Sequence, residues 1–356
     1  MELLNHLVIT LPMLICLGWA LFFLIRCATR NGEARVTRIL LIFYCITTIL
    51  YIDHWLYFSG VPSFAGEWSY KVVNLCVYPV YYAYLRALTR AKRTYEVPLL
   101  LLPALVVAVL DPIISANGGK TIIDFFARIC FAAQVVWVWY RGYRLLNQTV
   151  RRLDNTYSDD RSRLLHPMHI LLQLFGVTAA VSMVLNIIGR EFFTEGLSVS
   201  IPAVVMTVLL YGLGYVAAHT TLPQETITLE EAQAQETTIE ETDALISRIA
   251  TVLREQKLYA SPDITIQDLA AAVHSNRTYV SQCINRRTGL SFSQYIARYR
   301  VENAQQILRE NTHITDHDAI VKAMTLSGFS SDQTFYRVFK EITGETPLQY
   351  RHKYLQ

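Results

Sequence analysis

Gly328–Arg351 reads GFSSDQTFYRVFKEITGETPLQYR, and its periodicity decides what the last third of the chain is. Phe335, Val338 and Phe339 recur at the spacing of one helix face. Ser330 or Ser331 precedes DQTFYRVFKEI as an N-cap, and Ala319 to Leu326 forms an earlier helix across the turn Ser327–Gly328–Phe329. Two short helices joined by such a turn make a helix-turn-helix unit.

The arrangement occurs twice. Upstream, Ile266 to Ala272 (IQDLAAA) is a small-residue helix, Val273–Ser275 a turn, and Asn276 the N-cap of RTYVSQCINR. It is a repeat of a motif and not of a sequence. Between the two units lies Ser291–Glu310, SFSQYIARYRVENAQQILRE. Phe292, Tyr295, Ile296, Tyr299 and Ile307 form one helical stripe, and Ala297, Val301, Ala304 and Leu308 a second. A helix buried on two sides serves as a strut between two subdomains. At roughly 30 Å it is close to one turn of duplex DNA, about 34 Å.

Upstream of this region the composition changes. Gln224 to Ser247 carries Glu225, Glu230, Glu231, Glu236, Glu240, Glu241 and Asp243 and no Lys or Arg. Such a segment is solvated, and anionic lipid and DNA both repel it, so it spaces the downstream helices from a membrane. A helical stripe of Ile239, Leu245, Ile246, Ile249, Val252 and Leu253 begins inside it. It reads as the first helix of the C-terminal domain, with a short dimer seam as the alternative.

The first 222 residues are apolar. The whole chain is 52% hydrophobic and 17% charged, with a mean hydropathy of +0.26, the balance of a protein that spends much of its length in a bilayer. Seven stretches have the ~20 apolar residues that a span needs: roughly 7–27, 37–57, 70–89, 97–115, 122–145, 167–188 and 199–219. The third is the least apolar, with Lys71, Asn74 and Arg86. The first lacks the basic flank and small-residue cleavage site of a signal peptide and is expected to be a retained membrane helix. Arg and Lys concentrate in the first, third and fifth connections, at Arg26, Arg30, Arg35 and Arg38, at Arg86, Arg90, Lys92 and Arg93, and at Arg141, Arg144, Arg151, Arg152, Arg161 and Arg163. This alternation predicts an N-terminus outside and everything after Thr220 in the cytoplasm.

Several polar groups then fall in the outer half of the bundle. Asp53, His54, Trp55, Asp124, Arg128 and Asn186 are candidate residues for a ligand or signal, with Tyr57, Trp68 and Tyr78 as aromatic neighbours. Asp124 and Arg128, four apart, are placed to pair with each other. Interfacial aromatics and internal ion pairs are the plainer reading of the same residues.

No H-E-x-x-H, P-loop, G-x-S-x-G or C-x-x-C pattern is present. The sequence therefore points to no enzyme, no cofactor and no metal. The six cysteines have no zinc or disulfide spacing and read as small apolar packing residues.

The C-terminal residues resemble the AraC/XylS-type transcription regulators, over roughly Ala244 to Tyr354. The match runs through LAAAVHSNRTYVSQCINRRTG, FSQYIARYRVENAQQIL and GFSSDQTFYRVFKEITGETPLQYR. The whole chain is similar in architecture to membrane-embedded members of that family. The resemblance implies base-facing positions at Thr278, Ser281 and Gln282 in one unit and at Asp332, Gln333 and Arg337 in the other. It implies phosphate contacts at Arg277, Arg286, Arg287 and Lys340. Asp332, in a first helical turn, also reads as helix-dipole chemistry. Ile284 stands where an aromatic is usual, and Lys322 where an apolar residue is common.

The expectation is an all-α chain: a seven-helix transmembrane sensor (1–222), an acidic linker (223–243) and a double helix-turn-helix DNA-binding domain (244–356). Such a chain is a one-component regulator in a bacterial cytoplasmic membrane that answers an extracytoplasmic or intramembrane signal. Its partners are double-stranded DNA, lipid, an unidentified signal molecule, RNA polymerase and a second copy of the chain. The competing reading is a receptor or transporter whose cytosolic helical domain binds protein.

Overall fold

A computed structural model of the chain describes residues 2–29, 34–58, 66–91, 95–159, 161–188, 197–220, 239–311 and 313–355. Most of the acidic linker, and Arg30, Lys92, Arg93 and Arg190, lie outside the described residues. The fold is all helical, and the chain divides into two compact units. One is Met1–Asn147 with Leu165–Pro223, and the other is Gln148–Leu164 with Gln224–Gln356.

The first unit is built from α1 (Glu2–Thr29), α2 (Ala34–Phe58), α3 (Gly66–Leu88), α4 (Glu96–Ala116), α5 (Lys120–Thr156, up to Asn147), α6 (His166–Ile188) and α7 (Leu197–His219). α1 packs on α2 and α7, α2 on α3, α3 on α4, and α6 on α7. Six of these helices are long and apolar enough to cross a membrane, and α3 is not among them. The reason is where α3 sits. Leu75, Val80, Tyr81, Tyr82, Tyr84 and Leu85 are all buried in the bundle, so the helix meets protein and needs no lipid-compatible surface. Outer helices do the opposite: Leu14, Leu17 and Leu21 of α1, Leu99, Leu105 and Val109 of α4, and Val204 and Val208 of α7 are exposed. Large apolar surface of this kind is compatible with lipid contact. α5 runs 37 residues, well past the expected end at 145. Hydropathy ends a span but not a helix, and 146–156 holds no Gly or Pro to stop it.

Charges within the bundle are compensated. Lys71 of α3 pairs with Asp111 of α4, 3.0 Å away, and with Asp124 of α5. Glu96 pairs with both Arg86 and Arg141 and accepts from Tyr82 Oη at 2.7 Å. Ions are held in such surroundings only when paired.

The second unit contains α8 (Ile239–Glu255), a 3-10 turn (Leu258–Ala260), α9 (Ile266–Ala272), α10 (Arg277–Thr288), α11 (Phe292–Glu310), α12 (Asp316–Leu326), α13 (Asp332–Thr343) and α14 (Pro347–Leu355). It has two cores. Leu245, Ile249, Leu253, Leu269, Val280 and Ile284 fill the first together with Phe292, Tyr295 and Ile296 of α11. Ala319, Ala323, Phe335, Val338, Phe339 and Tyr350 fill the second together with Val301, Ala304 and Leu308 of α11. α11 is thus the strut, and it divides mainly along its length: Ile307, expected on the first stripe, packs against the second core. α8 contributes to the first core, as its stripe predicts.

Two buried arginines clamp the unit. The Arg300 side chain donates to Tyr259 O (2.8 Å), Ser261 O (2.8 Å), Pro262 O (3.2 Å) and Ser158 Oγ (2.9 Å), and its guanidinium lies over the Phe329 ring. Desolvation lowers its pKa to about 10, still far above neutrality. Arg351 donates to Asp316 Oδ1 (2.8 Å), Asn311 O (2.7 Å) and Ile314 O (2.6 Å). Its place at the end of the signature is therefore structural.

Candidate functional site

Each helix-turn-helix is set up by local chemistry. In the first, Thr265 caps α9 in a capping box with Asp268. Asn276 accepts from Tyr279 N at 2.7 Å and starts α10, as its position predicts. The intervening turn puts His274 at φ +49°, a left-handed conformation that costs most residues about 1 kcal/mol. In the second, Thr315 caps α12, Gly328 takes the left-handed turn position at φ +80°, and Ser331 caps α13. A Cβ on Gly328 would come within 2.6 Å of both Tyr259 O and Ala260 O, so glycine is needed for space as well as for φ. Lys322, where an apolar residue is common, is accommodated in α12: it is exposed, and its Nζ donates to the buried Asn311 Oδ1 at 2.7 Å. Ile284 is fully buried.

The buried triplet Val280, Cys283 and Ile284 of α10 matches Phe335, Val338 and Phe339 of α13, an offset of 55 in each case. The offset also pairs Gly289 with Gly344, the left-handed caps that end both helices. It fixes which residues face outward. On α10, Arg277, Thr278, Ser281 and Gln282 are half-buried and Arg286 is exposed. On α13, Asp332, Gln333 and Lys340 are exposed and Arg337 is half-buried. All the nominated positions thus lie off the core. Arg337 donates to Glu341 Oε2 at 2.9 Å, and Arg287 pairs with Asp243 of α8. The register adds two residues that sequence reading passed over. Tyr336 is the counterpart of Ser281 and is exposed, and Asn285 is the counterpart of Lys340. Aligning the two units by their buried residues would have found both.

In the first unit the nominated residues do not converge. Asp53 is buried and accepts from Ser69 Oγ at 3.4 Å. Trp55 is half-buried, and Arg128 is exposed. Asp124 pairs with Lys71 across to α3, a partner on another helix that the spacing to Arg128 does not reveal. Asn186 lies in α6, and its side chain is outside the described residues. His54 and Tyr78 line a cavity of about 250 Å³ inside the bundle. Asp53, Trp55, Asp124 and Arg128 do not. Among the described residues no cluster of three metal-ligating side chains occurs.

Residues 269–353 match the family model described as helix-turn-helix domain. The chain is 34% identical over 87 residues to the HTH-type transcriptional regulator YisR of Bacillus subtilis, covering 24% of this chain and 29% of that protein. It is 33% identical over 88 residues to the melibiose operon regulatory protein of Escherichia coli K12, covering 25% and 28%. It is 26% identical over 110 residues to the Msm operon regulatory protein of Streptococcus mutans, covering 31% and 37%. The chain therefore spans well under half the length of these relatives. No solved structure matches it.

Proposed function

We propose that this chain, whose C-terminal part is an AraC/XylS-type helix-turn-helix domain, is a one-component transcription regulator embedded in a bacterial cytoplasmic membrane. Its helix bundle senses, and its two helix-turn-helix units read DNA. The observation that carries this is the pairing of two unlike surfaces in one chain. One unit presents two capped helices in matching register, joined by a strut, and the other presents six helices apolar enough to span a bilayer.

In this reading α10 and α13 enter successive major-groove segments. α11 has 19 residues, about 28 Å, against roughly 34 Å for a turn of duplex. Thr278, Ser281 and Gln282 face bases from α10, and Asp332, Gln333 and Arg337 from α13. Gln suits adenine, Arg guanine, and an Asp accepts from cytosine. Tyr336 joins them as an apolar contact to a thymine methyl or a sugar. Arg277, Arg286 and Lys340 bind phosphates. The residues from 257 onward hold 12 Lys and Arg against 9 Asp and Glu, so affinity rests on these placed groups and not on a large bulk charge. A signal acts by favouring one arrangement of the bundle over another. The output is altered spacing, dimerisation or recruitment of RNA polymerase.

The test is a selection from random duplex DNA by the full chain in lipid nanodiscs. A motif spanning a full turn is expected. Arg337→Ala should relax preference at a guanine in one half and Gln282→Ala at a base in the other, each costing about 1–3 kcal/mol. Lys340→Ala should weaken all sequences alike. No enrichment of any motif would favour a protein-binding domain instead. Reporters after Thr220 and at Gly118 should read cytoplasmic and external, respectively.

A further inference from the structure

The connection between α5 and α6 belongs to the DNA-binding unit. Gln148–Leu164 cluster with the helix-turn-helix elements, and α5 runs into this stretch as one helix, to Thr156. Just beyond its end, Tyr157 and Ser158 are buried, although connecting segments normally lie on the surface. Backbone pairing seats them. Tyr157 forms an isolated antiparallel bridge with Thr265, the N-cap of α9, and Ser158 N donates to Ile264 O at 3.3 Å. The Ser158 hydroxyl donates to Pro262 O at 3.4 Å. None of these residues falls within 269–353, the stretch that matches the family model, so the contact is additional to the matched domain.

The segment also completes the surroundings of Arg300. A guanidinium has five N–H donors. In Arg300, Nε is taken by Tyr259 O, and Nη2 is shared among Ser261 O, Pro262 O and Ser158 Oγ, the last at 2.9 Å. Nη1 meets Ser158 O at 3.4 Å and no other acceptor among the described residues. Burial works against the charge of Arg300, and the carboxylates of Asp159 and Asp263 work for it. Arg300 stands on the strut, bonds to the turn ahead of the first helix-turn-helix unit, and lies over Phe329 in the turn of the second. A segment that fixes this side chain acts on both units at once.

We infer that residues 157–159 are a docking segment for the DNA-binding domain, and that docking holds the two helix-turn-helix units at the spacing a full-turn DNA site requires. The two surfaces are complementary group by group. The domain offers the carbonyls of Pro262 and Ile264 and the guanidinium of Arg300, and the segment answers with a hydroxyl, an amide, a carbonyl and the Asp159 carboxylate. Docking gives the bundle a second route to the domain. α7 leads into the acidic linker, whereas α5 leads straight into the docked segment. A bundle arrangement that favours the undocked form loosens the Arg300 clamp and disfavours binding to both halves of a site. The spacing role rests on the regulator reading. The docking itself does not, and it is measured without DNA.

The experiment uses the full chain in nanodiscs, as wild type and two variants. Ser158→Lys sets an ammonium against the Arg300 guanidinium and should expel the segment. Ser158→Ala removes only the hydroxyl and should loosen it. Hydrogen exchange by mass spectrometry reads docking. Peptides covering 157–159 should exchange about 10- to 100-fold faster in Ser158→Lys and about threefold faster in Ser158→Ala, while peptides of α11 keep their wild-type protection. DNA affinity is then measured for the full-turn motif and for the same duplex with one half scrambled. Ser158→Lys should bind the full motif about tenfold more weakly and the scrambled duplex as wild type does. An added cation by itself would strengthen both, so the loss is not a charge effect. Unchanged exchange of 157–159 in Ser158→Lys, or loss of α11 protection in both variants, would overturn the docking. Full-motif affinity equal to wild type in an undocked variant would overturn the spacing role. If the wild-type chain selects no motif, the regulator reading fails and the spacing role with it, and exchange alone then judges the docking.

Discussion

Gly328→Ala should be far more damaging than its chemistry suggests. Three glycines of the DNA-binding unit have left-handed backbones: Gly289 at φ +70°, Gly344 at φ +81° and Gly328 at φ +80°. An alanine at any of them pays about 1–2 kcal/mol for the conformation. At Gly289 and Gly344 the new methyl meets nothing within 4 Å, so the cost stops there. At Gly328 it would lie 2.6 Å from Tyr259 O and Ala260 O. Those carbonyls cannot simply yield, because Tyr259 O accepts from Arg300 Nε at 2.8 Å. Forced displacement of packed groups adds about 1–3 kcal/mol, giving roughly 2–5 kcal/mol in all. Hydrogen exchange by mass spectrometry on the purified full chain isolates the effect. Peptides of α12 and α13 in Gly328→Ala should exchange about 5- to 150-fold faster than in Gly344→Ala, the equivalent of an excess of about 1–3 kcal/mol. DNA affinity should fall with them. Equal exchange in the two variants would mean that the second turn does not press against the 3-10 turn of the first subdomain, and the clamp around Arg300 would then be misdescribed.

Arg351→Lys should destabilise the second subdomain by about 2–4 kcal/mol, since one ammonium cannot meet three acceptors fixed around a planar fork; thermal unfolding of the full chain gives the value. Asp316 accepts from His352 and Arg351, which hold its carboxyl below the ordinary 3.8. A depressed folded value contributes stability above pH 3.8 that is lost as pH falls further, so wild type should lose its advantage over Asp316→Asn in acid unfolding below about pH 4. His274→Gly relieves a left-handed residue at the first turn and should leave stability unchanged or raise it by up to about 1 kcal/mol, read by denaturant midpoint. A clear loss would show that the His274 side chain holds the turn.

The local plan of this protein was legible in its sequence. Asn276 and Ser331 act as N-caps because capping involves a side chain and a backbone amide three residues on. The apolar runs of α1, α4 and α7 declare themselves by composition, since the capacity to cross a bilayer asks only for length and hydropathy. The buried faces of α10 and α13 follow from helical spacing. Pairings between helices had no such signal. That Asp124 meets Lys71, that His54 shares a cavity with Tyr81 while Asp53 does not, and that Arg300 ties the two subdomains together depend on which faces the helices turn to one another. The strength of a cap is set within one turn of chain. The partner of a buried charge is set only when distant segments close around it.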